Sequence, residues 1–280
     1  MKALILFFSK LPVGVLTVLA KTLSFLLNHV IRYRSKVIQK NLQNAFPDKE
    51  KEQIDLIKKE FYKNFSQFLV ETLKLFTLPT HSSQHYIRLD PKSLEEVNQK
   101  AKEGKSIVVL SGHNFNWELC SLLPPKLKLK SLLAYKPLKN PFWNDLIVDI
   151  RQKNGATVFE YQWMYMNALR YQNKGINTIC WMGMDQRPRR RRDAIEAKFL
   201  NQDTLFYKDT ERVCRKIANY VYFQKIQKIG KFRYEVEYCL LSKEPASEQE
   251  GAILKAYIKS LEDLIHEDPA NWLWSHKRWK

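Results

Sequence analysis

The chain has 280 residues, and 45% of them are hydrophobic, which is enough for one sizeable domain with or without an anchoring segment. Its 47 Lys and Arg residues against 29 Asp and Glu residues give a net charge of +18, so we expect a negatively charged partner: anionic lipid headgroups, an acidic carrier protein or nucleic acid. Only 8 glycines and 11 prolines argue against a low-complexity or disordered chain.

Residues 3–31, ALILFFSKLPVGVLTVLAKTLSFLLNHVI, are the most apolar part of the chain. A signal peptide would need a small-residue cleavage site, and none is convincing. Lys10 and Lys21 interrupt the run of about 20 apolar residues that a spanning helix needs, whereas an interfacial or tilted anchor tolerates both. We predict that residues 1–31 are an uncleaved membrane anchor, either spanning or interfacial. The alternative is an amphipathic helix buried in the domain.

A basic cluster follows the predicted anchor: Arg32, Arg34, Lys36 and Lys40. Basic residues beside an apolar anchor favour the cytoplasmic side and the anionic surface of the membrane. We therefore expect residues 32–280 to form a single α/β domain that faces the cytoplasm at the anionic inner leaflet.

The rest of the chain predicts a mixed central β-sheet flanked by helices. Residues 49–76 have apolar side chains at steps of three and four, which indicates a long amphipathic helix. Beyond it, apolar strands are predicted at 107–111, 132–135, 157–159 and 178–182, with helices near 116–123, 141–153 and 162–173. This alternation is typical of an α/β sheet.

Two further elements are predicted near the carboxyl terminus. Residues 232–240 alternate apolar and charged side chains, which indicates a half-buried strand, antiparallel and near the sheet edge. A final helix is predicted to start at Ser247, because Glu250 three residues later completes a capping box.

The four cysteines carry no pattern of metal ligation. Cys120, Cys180, Cys214 and Cys239 form no C-x-x-C pair and lie in apolar or helical stretches. They are expected to be small buried residues in a reducing compartment, with neither a zinc site nor a disulfide framework. No nucleotide-binding loop is found either, so we expect neither a metal nor a cofactor.

The segment 106–119, SIVVLSGHNFNWEL, contains the candidate catalytic residues. His113 follows a buried strand, and reacting groups in α/β sheets collect at the carboxyl ends of strands. If the chain turns after His113 and then forms a helix, the carboxylate of Glu118 would lie close to the imidazole of His113. Imidazole, with an ordinary pKa of about 6.5, suits removal of a proton from an attacking hydroxyl, and a carboxylate would fix its tautomer. Alone, H-x4-E is a weak signal, because it arises often by chance.

Five segments of the chain occur in the order of the blocks of a known family. They are residues 34–65, 111–119 (SGHNFNWEL), 135–159 (YKPLKNPFWNDLIVDIRQKNGATVF), 181–188 (WMGMDQRP) and 271–280 (NWLWSHKRWK). They resemble the lysophospholipid acyltransferase superfamily, specifically the bacterial lipid A biosynthesis (lauroyl/myristoyl) acyltransferase branch. The resemblance implies a glycerolphosphate acyltransferase-like fold and an O-acyltransferase with His113 and Glu118 as catalytic residues.

The same resemblance implies substrate-binding residues. Arg151 is expected to hold a phosphate or polarise a thioester carbonyl, and Asp185 and Gln186 match the family's Asp-Gln pair. Asp185 follows the apolar run Ile179–Met184 and so ends a strand near the same sheet edge, where it is expected to orient His113 or Arg151, with a helix or turn cap as the alternative. The implied donor is a fatty acyl thioester on acyl carrier protein or coenzyme A. The implied acceptor is a lipid A precursor in the bacterial inner membrane, with a phospholipid, glycolipid or aminolipid as alternatives.

The densest charge of the chain is the arginine run, defined as Arg187, Arg189, Arg190, Arg191 and Arg192. It is expected to bind an acidic carrier protein or the phosphates of the acceptor, and a solvated loop facing the membrane is the alternative. Near the carboxyl terminus, Trp272, Trp274 and Trp279 are expected in the core with the charges outward, or else in an interfacial belt.

Two other classes of function fit the sequence less well. A serine hydrolase would need a G-x-S-x-G elbow, which this chain lacks. The positive charge and the aromatic residues are compatible with a basic nucleic-acid-binding protein, but the predicted anchor would have no function in such a protein. We therefore expect a transferase that binds no nucleic acid.

Replacing the arginines at residues 189–192 with glutamine tests the docking role of the arginine run. The variant is expected to have a higher apparent KM for the acyl donor and a weaker salt dependence of that KM, because steering by charge is screened by salt. Initial rates at low and high salt measure both. Unchanged kinetics at low salt would remove the docking role.

Overall fold

The computed structural model describes residues 2–79, 84–188 and 194–279. Within them, the α-helices are α1 (Lys2–Lys10), α2 (Val13–Phe25), α3 (Ser35–Ala45), α4 (Lys51–Lys74), α5 (Pro91–Lys102), α6 (Pro141–Gln152), α7 (Met164–Asn173), α8 (Lys208–Ile217) and α9 (Ala252–Glu267). The strands are β1 (Ile87–Leu89), β2 (Ile107–Ser111), β3 (Lys130–Tyr135), β4 (Thr157–Glu160), β5 (Thr178–Gly183), β6 (Ala194–Phe199), β7 (Gln202–Tyr207), β8 (Tyr220–Gly230) and β9 (Arg233–Ser242).

In the described part of the chain, seven strands form one mixed sheet in the order β1-β9-β8-β2-β5-β3-β4. The strands from β8 to β4 run parallel, and β9 runs antiparallel to β8. β2 and β5 pair in register, so that Ser111 lies beside Gly183 at their carboxyl ends. Residues that follow these two strands are therefore neighbours at one edge of the sheet. We call it the carboxyl edge, because the parallel strands end there.

Helices cover both faces of the sheet. Side chains of β2 alternate between two apolar clusters: Val108 and Leu110 belong to one, and Ile107 and Val109 to the other. All four are fully buried, as expected for a central parallel strand. The predicted mixed sheet with flanking helices is confirmed.

The apolar amino-terminal segment folds as two helices separated at Pro12. Leu16 and Ala20 are buried on one face of α2, whereas Val15 and Val18 on the other face are 45% and 62% exposed. By length and composition, residues Val13–Val30 could cross a membrane. Only 22% of this window is buried, unlike the window of a core helix, and the division at residue 31 stays a prediction.

Local hydrogen bonds explain why two helices begin at residues other than the predicted ones. The long helix begins at Lys51 because Glu50 is its N-cap, with Gln53 accepting a hydrogen bond from the Glu50 N–H at 3.0 Å. The start predicted at Ser247 is wrong. The last helix begins at Ala252, after Gly251 with a φ of 88°, and the Gly251 N–H donates to Glu211 at 2.7 Å.

The two other carboxyl-terminal expectations are only partly correct. β9 is antiparallel to β8 and second from the sheet edge, as predicted, although Leu240, one of the apolar residues of the alternating pattern, is 40% exposed. Trp272 and Trp274 lie in the core, but Arg278 is fully buried as well. Its Nη1 donates to Thr204 Oγ1 at 2.9 Å, and burial lowers the pKa of this guanidinium to about 10.

Three of the four cysteines, Cys120, Cys180 and Cys214, are buried, and Cys239 is partly buried. Burial raises the pKa of each thiol, so they are protonated near neutral pH. The interpretation of the cysteines as packing residues is confirmed for the three buried side chains.

Candidate active site

A glycine turn places His113 at the carboxyl edge. Gly112 follows the last residue of β2, and a Cβ atom at this position would lie 2.6 Å from Asn114 Oδ1 and 2.7 Å from Leu261 Cδ1. Only glycine fits without displacing these atoms. The turn leaves the His113 side chain 22% exposed, so the imidazole is open on one side.

Asp185 is the carboxylate that contacts His113. His113 Nδ1 lies 2.6 Å from Asp185 Oδ1, and the His113 N–H donates to Oδ2 at 2.7 Å. The Trp272 indole donates to the same Oδ2 at 2.9 Å. Burial by itself would raise the pKa of the Asp185 carboxyl, but the charge of His113 and the hydrogen bonds from His113 and Trp272 outweigh it and hold that pKa at about 2.

The predicted contact between Glu118 and His113 is wrong. Arg151 donates from Nε to Glu118 Oε2 at 2.9 Å and from Nη2 to Oε1 at 2.6 Å, which makes a two-point ion pair. Phe115 has a φ of 47°, and a 3-10 helix begins only at Trp117, so His113 and Glu118 do not share a helical face. Trp117 lies against His113 with ring centroids 4.8 Å apart, and its indole donates to Glu118 at 3.1 Å.

Glu118 and Arg151 form a nearly buried pair. Their side chains are 7% and 16% exposed. Burial lowers the pKa of the Arg151 guanidinium, but the Glu118 carboxylate more than offsets this, and the pKa ends above its usual range. The Arg151 guanidinium therefore stays protonated and is held beside the site by its partner carboxylate.

Gln186 contacts the ring nitrogen of His113 that faces away from Asp185. Its Nε2 lies 3.1 Å from His113 Nε2, while His113 Nδ1 contacts the ionised Asp185. A neutral imidazole that donates from Nδ1 and accepts at Nε2 satisfies both contacts. The lone pair of Nε2 is then free to accept a proton from a group that takes the place of the Gln186 amide.

His113, Glu118, Arg151 and Gln186 all line one cavity of about 700 Å³. Apolar and aromatic side chains form much of the remaining wall: Trp117, Leu133, Leu138, Tyr161, Trp181, Tyr207 and Leu273. Asp185, which is 2% exposed, lies behind His113. An apolar cavity with a few convergent polar groups is typical of a small-molecule site.

Glu71 is a residue of this region that the sequence did not reveal. It is 2% exposed and accepts hydrogen bonds from Gln67, from Asn116 at 3.1 Å and from the Tyr234 hydroxyl at 2.9 Å. Burial raises its pKa, and these hydrogen bonds oppose the rise. Because Asn116 precedes Trp117, Glu71 fixes the turn that carries Trp117 and Glu118. Its only sequence signal was a carboxylate on the apolar face of α4.

The carboxyl-terminal segment forms part of the same region. Asn114 pairs with Trp272 in an isolated β-bridge, and the Phe115 N–H donates to the Asn271 carbonyl at 2.9 Å. Asn41 of α3 donates to the Trp274 carbonyl at 2.8 Å. The carboxyl-terminal segment therefore makes hydrogen bonds both to the turn after β2 and to the Asp185 carboxylate.

The structure places only one residue of the arginine run. The Arg187 N–H donates to His276 Nε2 at 3.3 Å, and burial lowers the pKa of His276 to about 4, so this imidazole is neutral. Arg189 and Arg190, with the two arginines after them, lie outside the described residues. Their role stays a prediction.

Comparison with known families shows the family of the chain. A sequence profile described as bacterial lipid A biosynthesis acyltransferase matches residues 2–280. The chain belongs to this family. Membership indicates an acyltransferase that transfers an acyl group to a lipid acceptor. Comparison with curated protein sequences gives no significant match.

In this member of the lipid A acyltransferase family, a buried ion pair makes the site sensitive to loss of one partner. Glu118→Gln leaves the Arg151 guanidinium buried without its counter-charge, which is expected to cost about 3 kcal/mol of unfolding free energy. The matched control is Glu60→Gln in the exposed pair with Lys63, which is expected to cost about 0.5 kcal/mol or less. Denaturant unfolding followed by tryptophan fluorescence measures both. Equal losses would contradict this role of the pair.

The low pKa of Asp185 predicts how the acyltransferase responds to acid. Its folded-state pKa of about 2 lies below the ordinary value of 3.8, so its charge stabilises the fold fully above pH 4, and this contribution is lost as the pH falls toward 2. Asp185→Asn removes the contribution at every pH. The difference in unfolding free energy between wild type and variant is therefore expected to shrink between pH 4 and pH 2, and a constant difference would contradict the assignment.

Proposed function

We propose that this protein transfers a fatty acyl chain from an acyl thioester to a hydroxyl of a membrane lipid, with His113 as the general base. The observation that supports this most is the orientation of His113: Nδ1 contacts the buried Asp185, and Nε2 lies on the side of the 700 Å³ cavity. Family membership supports the acyl transfer itself.

In the proposed reaction, the lipid hydroxyl approaches His113 Nε2 in the place of the Gln186 amide. The hydroxyl oxygen attacks the thioester carbonyl carbon while its proton moves to Nε2, and a tetrahedral oxyanion forms. The carbon–sulfur bond then breaks, and the imidazolium returns the proton to the thiolate. Asp185 stabilises the imidazolium by its charge and holds the tautomer through Nδ1. No acyl-enzyme forms.

In this proposal, Arg151 stabilises negative charge on a substrate, and Glu118 positions Arg151. The Arg151 guanidinium lines the cavity and supplies a fixed positive charge for the thioester oxygen or an acceptor phosphate. Glu118 holds the guanidinium by two hydrogen bonds, so it acts as a positioning residue. Gln186 marks the hydroxyl site, and the arginine run is the proposed contact for an acidic donor.

The family and the charge of the chain support a finer proposal for the substrates. We infer an acyl chain on acyl carrier protein or coenzyme A as donor and a lipid A precursor as acceptor, at the cytoplasmic face of the bacterial inner membrane. The net charge of +18 supports a negatively charged donor and membrane surface. A phospholipid, glycolipid or aminolipid acceptor is the second candidate. Lipid mass spectrometry with and without the gene distinguishes them by the lipid that loses an acyl chain.

Substitution of His113 tests the mechanism. His113→Ala is expected to lower kcat by at least about a thousandfold, because the general base is lost, while the protein stays folded. His266→Ala, at an exposed histidine of α9, is the matched control and is expected to retain full activity. Transfer of labelled acyl chains to membrane lipid measures both, and full activity in His113→Ala would rule out the mechanism.

A further inference from the structure

The carboxyl-terminal segment, residues 269–279, is held in place from α3. Asn41 of this helix is 5% exposed, and its Nδ2 donates to the Trp274 carbonyl at 2.8 Å and to the His276 carbonyl at 2.9 Å. Arg34, the N-cap residue of α3, donates to the carbonyl between these two at 2.8 Å. Three consecutive carbonyls are therefore bound from one helix, which fixes the path of the segment.

One side chain of this segment reaches the carboxylate beside His113. The Trp272 indole donates to Asp185 Oδ2 at 2.9 Å, while Asp185 Oδ1 lies 2.6 Å from His113 Nδ1. Because the indole holds Oδ2, the carboxylate presents Oδ1 to the imidazole. Trp272 is 2% exposed, so this hydrogen bond lies away from water, where it is electrostatically stronger.

A second side chain of the segment acts on the residue that contacts the other ring nitrogen. His276 Nε2 accepts a hydrogen bond from the Arg187 N–H at 3.3 Å. The residue before Arg187 is Gln186, whose side-chain nitrogen lies 3.1 Å from His113 Nε2. Burial lowers the pKa of His276 to about 4, so its ring is neutral near pH 7 and Nε2 can accept. His276 therefore fixes the backbone next to Gln186.

Both contacts of the His113 ring thus depend on one segment. Trp272 holds the carboxylate at Nδ1, and His276 holds the backbone after Gln186. The two carbonyls that Asn41 binds lie two residues after Trp272 and at His276 itself. A shift of the segment would therefore displace both partners of the imidazole together.

We propose that Asn41 is a positioning residue for acyl transfer, acting through the carboxyl-terminal segment. By fixing the segment, it sets the distance from His113 to Asp185 and to the place of the attacking hydroxyl. Orientation of the base contributes mainly to the transition state, so Asn41 affects the chemical step more than the binding of the donor. This inference rests on the proposed function.

Replacement of Asn41 tests the proposal. Asn41→Ala removes both hydrogen bonds and is compared with Asn44→Ala, at an exposed asparagine of the same helix that donates to the Gln202 side chain at 2.9 Å. Initial rates with dodecanoyl-coenzyme A as donor and bacterial membrane lipid as acceptor are measured where circular dichroism shows each protein folded.

Asn41→Ala is expected to lower kcat at least about tenfold, with the KM for the donor within about twofold of wild type. Asn44→Ala is expected to keep both constants within about twofold. Wild-type kcat in folded Asn41→Ala, or an equal loss in the control, would overturn the proposal.

Two tryptophan variants separate the hydrogen bond to Asp185 from the packing of the segment. Trp272→Phe removes the indole N–H and keeps an aromatic ring, so it also tests the proposal if Asn41→Ala fails to fold. Trp274→Phe is the matched control, because this equally buried indole donates to the Pro269 carbonyl at 2.6 Å. Trp272→Phe is expected to lower kcat at least about tenfold, and Trp274→Phe less than about threefold. Equal losses would overturn the proposal, since packing alone would explain them.

Nitrogen-15 NMR of the His113 ring gives a readout that needs no acyl transfer. The form protonated on Nδ1 is expected to predominate in wild type and in Asn44→Ala, and to decrease in Asn41→Ala and in Trp272→Phe. A merely structural role of Asn41 would lower the melting temperature and leave the His113 signal unchanged, which would overturn the proposal. Failure of the proposed function would appear instead as absence of transfer by the wild type.

Discussion

The rest of the candidate site depends on the hydrogen bonds that the carboxylate of Asp185 accepts. These hydrogen bonds join three parts of the chain that are distant in sequence: the end of β5, the turn after β2 and the carboxyl-terminal segment. A carboxylate with 2% exposure would be unfavourable alone, and hydrogen bonds from His113 and Trp272 compensate for its burial. The hydrogen bonds between Asp185 and His113 also orient the imidazole. The burial of the carboxylate and the orientation of His113 therefore depend on the same interaction.

This arrangement separates two carboxylates that the sequence places in the same region. Asp185 contacts His113, and Glu118 contacts Arg151, with the Trp117 ring in contact with both His113 and Glu118. The left-handed conformation of Phe115 produces the separation. In the proposed function, one carboxylate then supports the base, while the other holds a positive charge at the oxyanion or phosphate position.

The sequence predicted the location of the site better than its internal contacts. The apolar runs of β2 and β5 are buried on both faces, so they were recognisable as strands, and their carboxyl ends placed His113 and Asp185 at one edge. Asp185 was one of two carboxylates predicted to act on His113. The choice between Asp185 and Glu118 depends on the pairing of strands that are 72 residues apart in the chain and on the backbone angle of Phe115, neither of which a local pattern contains. Glu71 was missed for the same reason: its importance comes from Asn116 and Tyr234, which the fold brings to it.

Nitrogen-15 NMR of histidine-labelled protein tests most directly whether Asp185 orients the imidazole, with His113→Gln to assign the signal. At neutral pH, the account predicts that His113 carries its proton on Nδ1 and leaves Nε2 without one, and that Asp185→Asn abolishes this preference while Glu118→Gln preserves it. A His113 ring protonated on Nε2 in the wild type, or one that responds to Glu118→Gln and not to Asp185→Asn, would contradict it.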